Sequence, residues 1–284
     1  MDRMAGNNPT GSSALELWIA YPGDLEEPAV EERCTAILDD DERVRASRFR
    51  FDRHRREYLA THALARVALS HAHELPPYAW RFTVNRYGKP SPIPECGVRF
   101  NQSNSLELTV CLIALPGAHS GVAATEVGVD VESFARAEGI VPLASRVFSA
   151  AERAQLDALP ATDRPERALS LWTLKEAYIK ARGMGLSLPL DEISFLFDGP
   201  DAIRFEVAQG VDDDPGRWRF CRFDYAGHRI ALAVEAAAAP TPEIAHGNLE
   251  IFEVRPPLAP PARLAWGSPA WFPVSASTGS ARED

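Results

Sequence analysis

Apolar residues recur at three- and four-residue spacing between about Asp40 and His73, where Leu59, Ala63, Leu64, Val67 and Ala68 would share one face of a helix. A second such stretch runs from about Asp163 to Arg182, and a shorter one over Ser149–Leu159, where Ser149 and Glu152 have capping-box spacing. Elsewhere the pattern has the short period of strands: Leu15–Ala20, Trp80–Val84, Val98–Ser103, Leu108–Leu115, Val127–Glu132, Ile193–Phe197, Arg204–Val207, Arg217–Phe223 and Arg229–Val234. The pair at 98–103 and 108–115 is joined tightly enough to be a hairpin, and Pro76-Pro77 ends the first long helix.

Each half thus offers a long helix, then a strand, then a closing hairpin. The order predicts an α+β fold of two similar α/β halves, 14–120 and 121–239, with a boundary near 115–125. Residues 1–13 read as a flexible leader. Eight prolines in 240–284 predict a mostly irregular tail.

Composition narrows the classes of function. With 45% hydrophobic residues the chain has ample material for a packed core. The longest strongly apolar run, Val110–Leu115, is far short of the roughly 20 residues a bilayer requires. No apolar leader segment is present, so a cytoplasmic protein is expected. Thirty basic residues against 40 acidic give −10, which argues against a nucleic-acid binder. Four cysteines without C-x-x-C spacing read as reduced thiols. Only three of the 30 basic residues are lysines, Lys89, Lys175 and Lys180; these are positions where a compact ammonium rather than a planar guanidinium is called for.

Four segments carry candidate chemistry. In GVDVE (128–132) alternation puts Asp130 and Glu132 on one strand face and the valines on the other. Such a pair is ordinarily a solvated face, but its spacing of roughly 6.5–7 Å also suits a shared cation. In LWTLKEAYIKARGMGL (171–186), Trp172, Glu176, Ile179 and Lys180 share a helix flank, which on its own is an ordinary i,i+4 pair. RFNQSNS (99–105) offers neutral donors or simply turn formers. Between Glu42 and Arg66 eight arginines face three acids, a local +5 suited to an anionic ligand, an acidic partner or a solvated face. Carboxylates for a hard divalent cation, with lysines and arginines for polyphosphate, are the equipment of phosphoryl-type transfer.

GVDVE followed about forty residues later by WTLKEAYIK and GMGL, and preceded by RYGKP and RFNQSNS, resembles the 4′-phosphopantetheinyl transferases of the larger, surfactin-activating single-chain type. The resemblance spans roughly Asp40–Val234 and leaves out the tail. It implies a pseudo-twofold fold with coenzyme A in the cleft between the halves. It further implies transfer of phosphopantetheine to a serine of an acyl or peptidyl carrier protein domain, with release of adenosine 3′,5′-bisphosphate. Carried over residue by residue, Asp130, Glu132 and Glu176 match the Mg2+ ligands, with Mn2+ as an equally oxygen-seeking substitute. Glu176 matches the base and Lys180 a phosphate-contacting lysine. Lys175, Lys89, Ser103 and Asn104 match further coenzyme A contacts, and Arg45 a position near the 3′-phosphate. Two halves in one chain imply a monomer.

Asn104 departs from the family pattern, which has histidine there. A neutral donor contributes about 1 kcal/mol against about 1.5–3 for a charge-assisted one, so weaker coenzyme A binding or a compensating cation is expected. The Arg-rich segment is a candidate docking face for an acidic carrier. The alternative to an active enzyme is a weakened relative that holds coenzyme A or a carrier without transfer. A magnesium-dependent kinase or nucleotidyl transferase lacks support, since no P-loop or kinase glycine loop is present.

Overall fold

Two long helices, each packed on a sheet of its own, organise the chain. The computed structural model describes residues 15–105, 107–116, 124–199, 202–236, 249–255, 258–264 and 271–272. The expected leader and most of the expected boundary lie outside these residues. The first half comprises β1 (Leu15–Ala20), α1 (Pro28–Ala36), α2 (Asp40–Ser47), α3 (Asp52–Ala72), β2 (Arg81–Val84), β3 (Pro90–Ile93), β4 (Arg99–Ser105) and β5 (Leu108–Ala114). The second comprises β6 (Ala124–Ser133), α4 (Ala137–Ile140), α5 (Ala144–Val147), α6 (Ala150–Asp157), α7 (Arg164–Arg182), β7 (Ile193–Gly199), β8 (Ala202–Val207), β9 (Trp218–Tyr225) and β10 (His228–Ala236).

The halves share a topology. Chain order is strand, long helix, small hairpin, closing hairpin in both, and the sheet order β1-β5-β4 is repeated as β6-β10-β9. The small hairpins β2–β3 and β7–β8 stand apart as two-stranded sheets in corresponding places. The predicted hairpin appears as β4–β5, and Ser149 and Glu152 form the predicted capping box on α6. The 40–73 helix divides into α2 and α3, because Asp39 and Glu42 cap α2 separately and the chain turns out of it at Arg48.

Alternation decides which face of each sheet packs where. Leu17, Val110 and Leu112 of the first sheet share a core with Val127, Val129, Val131, Ile230 and Leu232 of the second. The opposite faces receive the helices: Trp18, Cys111 and Ile113 meet Leu64, Ala68 and Leu69 of α3, while Ala231 and Ala233 meet Leu174, Ala177 and Ala181 of α7. Gly128 lets β6 press against α7; a methyl group there would overlap the Ala177 carbonyl. Cys34, Cys111 and Cys221 are free and buried, as expected.

Part of the segment expected to be irregular joins this frame. β11 (Leu249–Glu253) pairs in parallel with β1, and two-residue strands β12 (Ala262–Arg263) and β13 (Trp271–Phe272) add to β11 and β9. The prolines flank β11 rather than interrupt it, and its Leu249, Ile251 and Phe252 are apolar and buried. No helix among the described residues is long and apolar enough to cross a membrane.

Candidate active site

The edge strands β4 and β6 lie side by side where the halves meet, joined through polar side chains. Asn101 Oδ1 accepts the Val129 amide at 2.9 Å, and Ser103 Oγ lies 3.4 Å from the Val131 amide. Over this seam, flanked by α3 and α7, opens a cavity of about 420 Å³. Its walls include Ser103 and Asn104 from β4, Asp130 and Glu132 from β6, and Trp172, Glu176 and Lys180 from α7. Ser103 and Lys180, 77 positions apart in the chain, are thereby brought into one site.

The predicted alternation puts Asp130 and Glu132 on the α7 side, yet they are not a solvated face: they are 4% and 7% exposed. Lys180 Nζ donates to Asp130 Oδ1 at 2.6 Å and to Ser103 Oγ at 2.7 Å, and Ser103 Oγ donates to Asp130 Oδ1 at 2.9 Å. Glu132 accepts from Arg136 Nη1 at 2.5 and 2.6 Å and from Trp172 Nε1 at 3.1 Å. Burial, and then the charge of Asp130, push the Glu132 carboxyl above its usual range. The same two causes act on Glu176, which is pushed up to about 7. Glu132 and Glu176 thus both resist ionisation beside the charge of Asp130.

Among the described residues no three His, Cys, Asp or Glu side chains are grouped closely enough to hold a metal ion as they stand. The donor chemistry fits one nonetheless. Asp130 Oδ2 is buried without any hydrogen-bond partner, beside two further carboxylates, and hard oxygen donors are what Mg2+ or Mn2+ takes. A divalent cation would supply the compensation that an orphaned, buried carboxylate oxygen otherwise lacks.

The remaining predicted residues divide. Arg45 lines a second cavity of about 440 Å³, which shares Tyr58, His62 and Gln102 with the first, so the two form one elongated cleft. Lys89 does not line either cavity. Its ammonium donates to Glu126 at 2.5 Å and to the Ala181 carbonyl at 2.6 Å. RYGKP and GMG in fact meet each other: Asn85 Nδ2 donates to the Gly183 carbonyl, and a Cβ on Gly183 would crowd Lys89 Cδ. Gly183 ends α7 at φ +61°, where a side chain would be strained.

Lys175 is likewise not brought to the cleft. One residue before Glu176, it is turned by roughly 100° around the helix into the core of the second half. There it is 2% exposed, paired with fully buried Glu152 at 2.8 Å, and donates to the carbonyls of Leu190 and Ile193. Burial pushes the Lys175 ammonium below its ordinary value and the Glu152 carboxyl above.

Sequence reasoning missed the α3 wall. Tyr58, Thr61 and His62 occupy one polar stripe at three- and four-residue spacing, opposite the apolar Leu59, Ala60, Ala63 and Leu64. The stripe is the signal that would have found them. His62 Nδ1 is 2.8 Å from Glu42 Oε1, Glu42 is held by buried Arg66, and the Tyr58 ring lies 4.1 Å from the imidazole. On the cleft's rim Asn104 Nδ2 donates to Glu57 Oε1 at 2.6 Å.

The family model described as the 4′-phosphopantetheinyl transferase superfamily matches residues 126–233, the β6–β10 half that carries Asp130, Glu132, Glu176 and Lys180. The chain is 30% identical over 200 residues to the 4′-phosphopantetheinyl transferase HetI of Nostoc sp., covering 69% of this chain and 80% of that one. It is 30% identical over 207 residues to a 4′-phosphopantetheinyl transferase of Bacillus subtilis, covering 73% and 85%. With the transferase Sfp of Bacillus subtilis strain 168 the identity is 29% over 164 residues, covering 57% and 68%.

Proposed function

Because the chain belongs to the 4′-phosphopantetheinyl transferase superfamily, we infer that it transfers the phosphopantetheine arm of coenzyme A to a serine hydroxyl of an acyl or peptidyl carrier protein domain. The observation that carries the reading is the convergence of Asp130, Glu132, Glu176 and Lys180 on one cleft at the seam of the two halves. In the reaction the serine oxygen forms a bond to the phosphorus next to the pantetheine. The diphosphate P–O bond breaks, and adenosine 3′,5′-bisphosphate leaves.

The elongated cleft suits a ligand with a nucleotide at one end and a flexible arm at the other. Arg45, which lines the second cavity, would meet an anionic group there, with Tyr58 and His62 at the junction. Lys180, fixed by Asp130 and Ser103, steadies negative charge developing on the diphosphate. Ser103 holds Lys180 and Asp130 in place beside the ligand, and Asn104, whose amide also meets Glu57, offers a neutral donor at the rim. Glu176 is the carboxyl that would accept the serine proton, and a cation ligated there would oppose the upward shift that burial and Asp130 give it. Asp130, Glu132 and Glu176 would hold Mg2+, or Mn2+, which when bound neutralises charge on the diphosphate under attack.

Lys89 and Lys175 hold the scaffold rather than the phosphates: one ties the β2–β3 turn to the end of α7, the other ties α7 to Glu152 and the loop before β7. Both walls come from a single chain, so a monomer acting in the cytoplasm is the arrangement proposed.

The reading is tested by chromatography of nucleotide products. Incubation with coenzyme A, Mg2+ and an apo carrier domain should release adenosine 3′,5′-bisphosphate in step with carrier consumed. A carrier with its acceptor serine changed to alanine should release none; equal release from both would mean simple hydrolysis and overturn the reading.

A further inference from the structure

Three carboxyls line the cleft wall, and two side-chain cations already stand against them: Lys180 on Asp130 and Arg136 on Glu132. The two cations are held differently. Lys180 is fixed by Asp130 and Ser103 together, and its side chain is 28% exposed. The Arg136 side chain is 56% exposed, and among the described residues its guanidinium donates to Glu132 and to nothing else.

Local structure aims Arg136 at that carboxyl. β6 ends at Ser133, whose Oγ accepts the Ala135 amide at 3.3 Å, and the chain folds into a single 3₁₀ turn over Phe134–Arg136. The turn is anchored at Phe134. Its amide donates to the Gly227 carbonyl at 3.1 Å, and its ring lies 5.1 Å from the guanidinium of buried Arg229. A tethered backbone thus presents a long, half-exposed side chain with one partner.

The three carboxyls are unequally free. Asp130 Oδ2 is buried and unpartnered, and the Glu176 carboxyl forms no hydrogen bond or ion pair among the described residues. Glu132 is already taken: Arg136 Nη1 meets both of its oxygens, and Trp172 Nε1 meets one at 3.1 Å. A hard cation binds carboxylate oxygens directly, so at Glu132 it competes with the guanidinium. Returning that guanidinium to water costs little, because more than half of the side chain is there already. Moving Lys180 instead would break its contacts to Asp130 and Ser103 together.

We propose that Arg136 is a displaceable counterion: it neutralises Glu132 in the metal-free protein, and a divalent cation bound by Asp130, Glu132 and Glu176 drives it off. This rests on the reading of those three carboxyls as a cation site, and adds the residue that sets how tightly the cation is held. Neither coenzyme A nor a carrier takes part in the exchange, so it is read in metal affinity and in stability rather than in transfer.

The test titrates Mn2+ alone into the wild-type protein and into Arg136→Ala, reading free Mn2+ by electron paramagnetic resonance, and follows thermal unfolding of both in EDTA and in Mn2+. Arg136→Ala should bind Mn2+ about tenfold more tightly, the scale of freeing one charge-paired carboxylate. The difference should persist at about 0.5 M NaCl, where charges acting from a distance are screened and a direct exchange is not. In EDTA the variant should melt below wild type, because Glu132 has lost its counterion; saturating Mn2+ should close or reverse that gap. An arginine that merely holds the turn would leave the same melting gap in both conditions, and that result overturns the proposal. Equal Mn2+ affinity in the two proteins, or a difference that vanishes with salt, overturns it while leaving the cation site standing. If neither protein binds Mn2+, the cation reading and the proposal fall together.

Discussion

Lys180 Nζ lies 2.6 Å from Asp130 Oδ1, tying the last turns of α7 to β6 beside the seam of the molecule. The pair shares Ser103 Oγ, so three segments from both halves are fixed by one small polar knot. Lys180→Ala should lower the transfer rate about 100-fold, the scale of losing one preorganised donor to developing charge. Lys180→Arg should restore little, because a guanidinium fork does not fit where one ammonium meets two oxygens. Steady-state rates with a saturating carrier check this; an alanine variant within threefold of wild type would refute it.

Lys175 should behave differently although it is only five residues away. Removing one partner of its buried pair with Glu152 leaves an uncompensated charge, so Lys175→Ala should lose about 3–5 kcal/mol of stability. Lys175→Met with Glu152→Leu should recover much of that loss. KM for coenzyme A should stay within twofold of wild type in whatever remains folded. Urea unfolding and initial rates separate this from a phosphate-contacting role, which would raise KM at unchanged stability.

Glu42 supplies a pH-dependent part of stability. Burial pushes its carboxyl up, but the hydrogen bond and charge of His62 and the charge of Arg66 outweigh that and hold it below 4.5. A carboxyl depressed in the folded state stabilises above its unfolded value, and that contribution is lost as pH falls through the folded one. Glu42→Gln should therefore cost about 3 kcal/mol at pH 7, and the gap to wild type should narrow as pH falls below 4.5. Urea titrations at pH 7 and pH 3.5 measure it; a constant gap would contradict the assignment.

His62 and Asn104 bear on coenzyme A. Glu42 occupies Nδ1 of His62, leaving Nε2 for a ligand at the junction of the two cavities. His62→Gln should raise KM for coenzyme A about tenfold, the scale of losing one hydrogen bond to a charged phosphate. Asn104→His should lower it, since Glu57 already sits 2.6 Å from that amide and could hold an imidazolium. Unchanged KM in Asn104→His would remove the expectation attached to that position.

Strand alternation and helix spacing made much of this legible beforehand. The face carrying Asp130 and Glu132, the α7 flank of Glu176 and Lys180, the β4–β5 hairpin and the Ser149 cap all follow from local pattern. What local pattern could not show was depth. Asp130 and Glu132 are buried because α7 and β4 close over them, a tertiary fact absent from a D-x-E motif. Lys175 and Lys89 were grouped with Lys180 by residue type, whereas helix phase and the Gly183 turn send them to different partners. The α3 wall was hidden because Tyr58, Thr61 and His62 form no compact motif. The tail's β11 was masked by its flanking prolines.

The most direct test of the central claim is the intact mass of an apo carrier domain after incubation with coenzyme A, Mg2+ and either the wild-type protein or Glu176→Gln. The wild-type protein should add one phosphopantetheine to the carrier, and EDTA should prevent it. A folded Glu176→Gln variant should add none over the same time. Full modification by Glu176→Gln would contradict the role given to the Asp130, Glu132 and Glu176 wall.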